Sequence, residues 1–103
     1  MQGVYRISSI KFNGAGSKYG EEKTDEYSLK RIGRTVDITN SLLSVGACGY
    51  IPYIKDVDGT DIGWNAMITS YITKLNEQEN KIIVETQNSI YEFEREEVDC
   101  NEM

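Results

Sequence analysis

Three sets of side chains in this 103-residue chain have the type and spacing to do chemistry. Glu92, Glu94 and Glu96 alternate with Tyr91 and Phe93. On an extended strand they project from one face at a spacing of about 6.8 Å, twice the strand rise. Continued by Glu97, Asp99 and Glu102, they make a carboxylate row that imitates a nucleic-acid backbone to a partner with a basic groove. The plainer reading is a solvated outer face that serves solubility. Lys30, Arg31 and Arg34, with Gly33 among them, are the one basic cluster. They suit a phosphate or nucleotide, or else they are strand-edge cations that face water or pair with Glu21, Glu22, Asp25 and Glu26. The third set is tyrosine. Seven are many for this length, and Tyr19 and Tyr27 fall in a polar stretch where core packing does not explain them. Tyrosine buries contact area at little entropic cost, so those two are candidate partner contacts.

Other motifs fail on spacing. Asp56-Val57-Asp58-Gly59-Thr60-Asp61 has the oxygens of a calcium loop, but an EF-hand needs glycine sixth and glutamate twelfth, where this chain has Asp61 and Met67. Solvated carboxylates on a hairpin turn are the better reading. Gly14-Ala15-Gly16-Ser17-Lys18 lacks the spacing and the following helix of a phosphate loop. There is no histidine, which removes His-dependent nucleophiles, His metal sites and a His pH switch. Cys48 and Cys100 are far apart and read as free thiols, with no histidine to activate either one. No cofactor and no metal are expected.

Composition says what must position these groups. Twelve Ile stand against four Leu, and Ile, Val, Thr, Tyr, Phe and Trp together supply 35 residues. Such side chains fit a pleated surface better than a helix. One domain is expected over residues 1–103. Val4 to Phe12 reads as a strand, and Asn13-Gly14 as a turn. Residues 13–30 read as a long polar loop, with room for a helical turn over Asp25–Arg31. Ile32 to Thr39 and Val45 to Val57 read as strands. Pro52 places the latter at an edge or a bulge. Asp58-Gly59 reads as a hairpin turn, with Asp61 to Asn65 returning from it. Residues 66–75 and 81–94 form a terminal hairpin about a polar link, and 95–103 form an acidic tail. Ile82, Val84 and Thr86 share one parity and Tyr91 and Phe93 the other, so a bulge is expected at Gln87–Ser89. Ile68, Ile72, Val84, Tyr91 and Phe93 are the expected inner face.

Charge is uneven. Residues 77–102 carry nine acidic and two basic side chains, whereas residues 1–76 carry eight and nine. Such an acidic pole repels nucleic acid and anionic membrane and favours a basic partner. No run approaches the roughly 18 apolar residues of a membrane span. No charged-then-apolar pattern opens the chain, so a cytoplasmic location is expected.

Thr69-Ser70-x-Ile72 followed by Val84-x-Thr86-x-Asn88-Ser89-x-Tyr91 resembles the last hairpin of small uncharacterised β-barrel proteins from phages and mobile elements of low-GC bacteria. The resemblance covers about 25 residues. It implies a small barrel with an accessory or anti-defence role, and it carries no site residues. In outline the chain also resembles an SH3 domain, without the aromatic signature that binds proline-rich peptides.

The expected fold is an all-β antiparallel barrel of five to six strands, SH3-like or related. The expected function is a non-enzymatic protein-binding module, an inhibitor of a host protein. It would act through Tyr19, Glu21, Glu22, Asp25, Glu26, Tyr27, Glu92, Glu94 and Glu96. One alternative is a small-anion or nucleotide binder using Lys30, Arg31 and Arg34. The other is an assembly protein that forms a homo-oligomer.

Overall fold

A computed structural model describes residues 1–14 and 16–96. Six strands follow one another as β1 (Val4–Phe12), β2 (Thr35–Asp37), β3 (Cys48–Lys55), β4 (Ala66–Glu77), β5 (Lys81–Thr86) and β6 (Ser89–Arg95). Each pairs antiparallel with its neighbour in sequence, and β6 closes onto β1. The expected small barrel therefore forms, with six strands. Its order is up-and-down, which separates it from the Greek-key order of the OB type. Closure removes the edge position expected for Pro52 but leaves the other expectation, a bulge: Ile54 is an extra residue of β3 between the Thr35–Lys55 and Val36–Tyr53 pairs. Tyr53 donates its N–H to Asn65 O at 3.1 Å, on the β4 side. Neighbouring residues on a strand aim their backbone groups oppositely, so the Pro52 nitrogen faces the β2 side. There the β2–β3 ladder has already ended, at the Val36–Tyr53 pair.

One short helix, α1 (Glu26–Arg31), lies in the stretch read as a loop. Asp25 caps it, accepting Ser28 N at 3.0 Å and Ser28 Oγ at 2.8 Å. Ahead of it, residues 20–23 run back along β1. Gly20 N donates to Phe12 O, Phe12 N to Glu21 O, and Lys23 N to Ile10 O, each at 2.9 Å. Two of the expected strands are shorter than the alternation suggested. Ile32–Thr39 yields only β2, because Gly33 takes a left-handed φ of 97° at the end of α1. Val45–Val57 shrinks to β3. The Asp61–Asn65 return is a single bridge, Lys55 to Asp61, followed by a turn in which Asn65 N donates to Ile62 O.

The core holds Tyr5, Ile7, Ile10, Val36, Ile51, Met67, Ile72, Ile82, Val84 and Phe93 among its buried side chains. Two expectations about it change. Residues 81–94 are not one bulged strand but two, turning at Gln87 and Asn88. The register pairs Ile82 with Phe93 and Val84 with Tyr91 across this hairpin. A two-residue turn reverses the chain, so the parity change needs no bulge. Thr86 Oγ1 secures the turn by accepting Ser89 N at 3.1 Å. The irregularities lie elsewhere, at Ser8 of β1, at Ile54 of β3 and twice in β4. Opposite Gly49, β4 places both Thr69 and Ser70 between the pairs Cys48–Tyr71 and Tyr50–Ile68. A second extra residue, Thr73, lies between Ile72 and Lys74. Each extra residue inverts the parity that follows. Met67, Thr69 and Ile72 therefore face inward, while Ile68 is 65% exposed.

Candidate functional site

The carboxylate row forms on β6, but it does not stand alone. Arg6 of β1 reaches Glu94 at 3.1 Å and Glu96 at 3.3 Å. Glu92 lies 3.7 Å from both Lys11 of β1 and Lys81 of β5. Strands β1 and β5 flank β6, so their outward cations stand across the row. Its three described carboxylates thus face three cations. Glu97, Asp99 and Glu102, expected to extend the row, lie outside the described residues, as do Cys100 and most of the acidic tail. Lys11 bridges to Glu22 on one side of β1 and pairs with Ile90 of β6 on the other. The Tyr19–Glu22 segment and the glutamate row therefore occupy opposite flanks of β1. Asp25, Glu26 and Tyr27 belong to the α1 end of the barrel.

The basic cluster also separates. Lys30 turns to Glu26 in an exposed i,i+4 pair at 3.6 Å. Arg34 bonds Asp56 at 3.2 Å and lies over the Tyr53 ring. Arg31 stacks on the Tyr27 ring, 3.4 Å from its centroid, and donates Nε–H to the Tyr53 hydroxyl at 3.0 Å. The aspartates once weighed as a calcium loop serve local turns instead. Asp56 accepts Val57 N, Asp58 accepts Thr60 N, and Asp61 accepts Gly63 N.

Beside α1 lies a cleft of about 360 Å³ at the mouth of the barrel. Lys23, Arg31, Ser28, Ser89 and Tyr91 line it. Lys23 donates to Ser89 Oγ at 2.7 Å. Burial pushes the Tyr91 phenol above its ordinary value, while Ser89 and Arg31 pull it partly back. Above a pH of about 10 the unfolded chain sheds this proton and the folded chain keeps it. The unfolded state then binds fewer protons, so stability falls as pH rises through that range. Urea melts between pH 9 and 11 (assay conditions, ~25 °C) are expected to show a smaller decline for Tyr91→Phe than for the wild type. Equal declines would place the titration on other groups.

The outer face of β3 and β4 presents a different surface. Leu42 bridges to Tyr50, and Tyr50 is the register partner of Ile68. Directly opposed residues share a face, so these three form a row across β3 and β4. All three are exposed, Leu42 at 69%. Alongside lies a second exposed pair, Cys48 and Tyr71. Trp64, two residues before β4, is 82% exposed. No charged residue occurs in 38–54 or in 62–73. These two uncharged runs were the signal for this face. Alternation alone assigned Ile68 to the core and left Leu42 and Trp64 without a role.

No protein-family model matches this chain, and neither does any curated protein or solved structure. The side-chain arrangement therefore carries the functional reading.

Proposed function

We propose that this protein is a non-catalytic protein-binding domain that docks through the uncharged part of the outer face of β3 and β4. The observation that carries the reading is the exposed Leu42–Tyr50–Ile68 row within the uncharged runs 38–54 and 62–73. Interface centres are depleted in charge and enriched in aromatic residues, and contiguous exposed apolar patches mark contact sites. The glutamate row is a weaker basis for contact, since Arg6, Lys11 and Lys81 already engage it. Its part is long-range steering toward a basic partner, an effect that salt screens. The hairpin's resemblance to phage and mobile-element proteins supports a host protein as the partner and inhibition as the result.

The test is capture of a partner on the immobilised domain, followed by affinity measurements with three variants. Tyr50→Glu with Ile68→Glu is expected to weaken binding about tenfold or more and to leave the far-UV spectrum unchanged. Glu92→Lys, Glu94→Lys and Glu96→Lys together are expected to slow association more than they speed dissociation. Normal binding by the first variant, with binding lost in the second, returns the contact to the acidic row. Loss on reversing Lys30, Arg31 and Arg34 favours the anion-binding alternative.

A further inference from the structure

The barrel-mouth cleft has features that a protein-docking face does not explain. The chain carries a net charge of −6, yet two cations converge here without a carboxylate partner. Among the described residues, Arg6, Lys11, Lys30, Arg34, Lys74 and Lys81 all form ion pairs. Lys18, Lys23, Arg31, Lys55 and Arg95 form none, and of these five only Lys23 and Arg31 line the cleft. Asp25 also borders it and keeps its charge; its oxygens accept from Ser28, which with the nearby Lys23 ammonium holds its carboxyl below the ordinary range, but it makes no ion pair among the described residues. A larger opening near the β4–β5 turn offers a contrast, because Glu79 and Glu94 line it together with Lys81 and Arg95, so its lining carries carboxylates as well as cations.

The hydrogen-bond inventory points the same way. Arg31 uses Nε for Tyr53 OH and Nη1 for Tyr27 O, which leaves Nη2 without a protein acceptor among the described residues. Lys23 has three donors and commits one of them to Ser89 Oγ. Ser28 and Ser89 are both buried and line the same cleft, but the Ser28 O–H is spent on Asp25 Oδ1, which leaves Ser89 as the hydroxyl available there. A guanidinium, an ammonium and the Ser89 hydroxyl around one space suit the three outward oxygens of a phosphoryl group. The cleft's volume lies at the small end of ligand pockets. Tyr27 is 69% exposed at its rim and already carries the Arg31 guanidinium on one face.

We propose that this cleft binds the phosphoryl group of a small organic phosphate through Lys23 and Arg31, with Tyr27 as the platform for the rest of the ligand. Only Arg31 is shared with the cluster that the sequence suggested. Lys30 and Arg34 are held elsewhere by Glu26 and Asp56.

The test is a titration of the full chain with inorganic phosphate, ribose 5-phosphate and adenosine monophosphate, followed by amide chemical shifts at constant ionic strength. Saturable shifts confined to residues around Lys23, Ser28, Arg31 and Ser89 are expected for all three ligands. Lys23→Gln is expected to weaken each by about tenfold or more, the equivalent of one charge-assisted hydrogen bond. Arg31→Lys, which keeps the charge but loses the planar fork, is expected to weaken them also. Lys30→Gln is expected to change nothing. Tyr27→Ala is expected to weaken adenosine monophosphate and spare inorganic phosphate, which separates a nucleotide from free phosphate as the source. No saturation, shifts spread over unrelated lysines, or succinate binding as tightly as phosphate would overturn the assignment. Ile68→Glu, on the docking face, is expected to leave the titration unchanged, so failure of either reading is visible separately.

Discussion

Phe93→Ala lowers the free energy of unfolding by about 3–5 kcal/mol, the usual cost of emptying a fully buried aromatic site. Phe93 is 0% exposed, faces Ile82 across the β5–β6 hairpin and stacks on Tyr91 with ring centroids 6.3 Å apart. It also opposes Ile7 of β1, so it sits where the last strand closes the barrel. Alanine there leaves a cavity in three strands at once, and a closed sheet has little freedom to collapse into it. Small domains have only about 5–15 kcal/mol in total, so this one substitution removes a large fraction. Urea melts at constant slope measure it. Ile68→Ala on the same scale should stay within about 0.5 kcal/mol, as for other exposed positions. A loss below about 1 kcal/mol for Phe93→Ala, or one above about 2 kcal/mol for Ile68→Ala, contradicts the placement of β4 and β6 described above.

Gly49→Val costs about 3 kcal/mol, the upper end for forcing extra atoms into a packed site. Gly49 is not a glycine for its backbone conformation, because its φ is not among the positive ones. Space decides the residue. A Cβ here would lie 2.8 Å from Thr69 Oγ1 and 3.2 Å from the ends of both Ile72 and Leu43. Thr69 Oγ1 cannot easily move, since it accepts Gly49 N–H and donates to Ser70 O, each at 2.8 Å. Pushing it away leaves a buried donor unpaired, which adds to the steric cost. The test is a double-mutant cycle. Thr69→Ala removes the oxygen that a new Cβ meets, so Gly49→Ala with Thr69→Ala is expected to cost less than the sum of the two single changes. Strict additivity would mean that the contact carries no energy.

Much of the fold was legible in local pattern. β1 spans the run read from alternation, Val4–Phe12, because a strand with one buried face writes its period directly into the sequence. The helical turn at Asp25–Arg31 was legible from Asp25, whose carboxylate meets the first free N–H groups of α1. Positions after a bulge were not. Ile68 and Ile72 share a parity in sequence, and only the two residues set against Gly49 put them on opposite faces. The Gln87-Asn88 turn was read as a bulge because both interpretations produce the same parity change. Pairing of Val84 with Tyr91 distinguishes them.

The sequence by itself determined an all-β barrel, an acidic last quarter and the absence of histidine chemistry, because those depend on composition and on side chains close in the chain. Only the tertiary structure decided which charges stand free. Glu92, Glu94 and Glu96 form a row in any extended strand, but Arg6 and Lys11, more than 80 residues away, reach it once β6 closes onto β1. Lys30, Arg31 and Arg34 are neighbours in sequence, yet the end of α1 sends them to three different partners. Lys23 and Arg31 meet at one cleft, and Leu42, Tyr50 and Ile68 meet in one row, only because the sheet closes. Coulomb energy and buried area depend on distance in space, and strand register, not spacing along the chain, sets that distance.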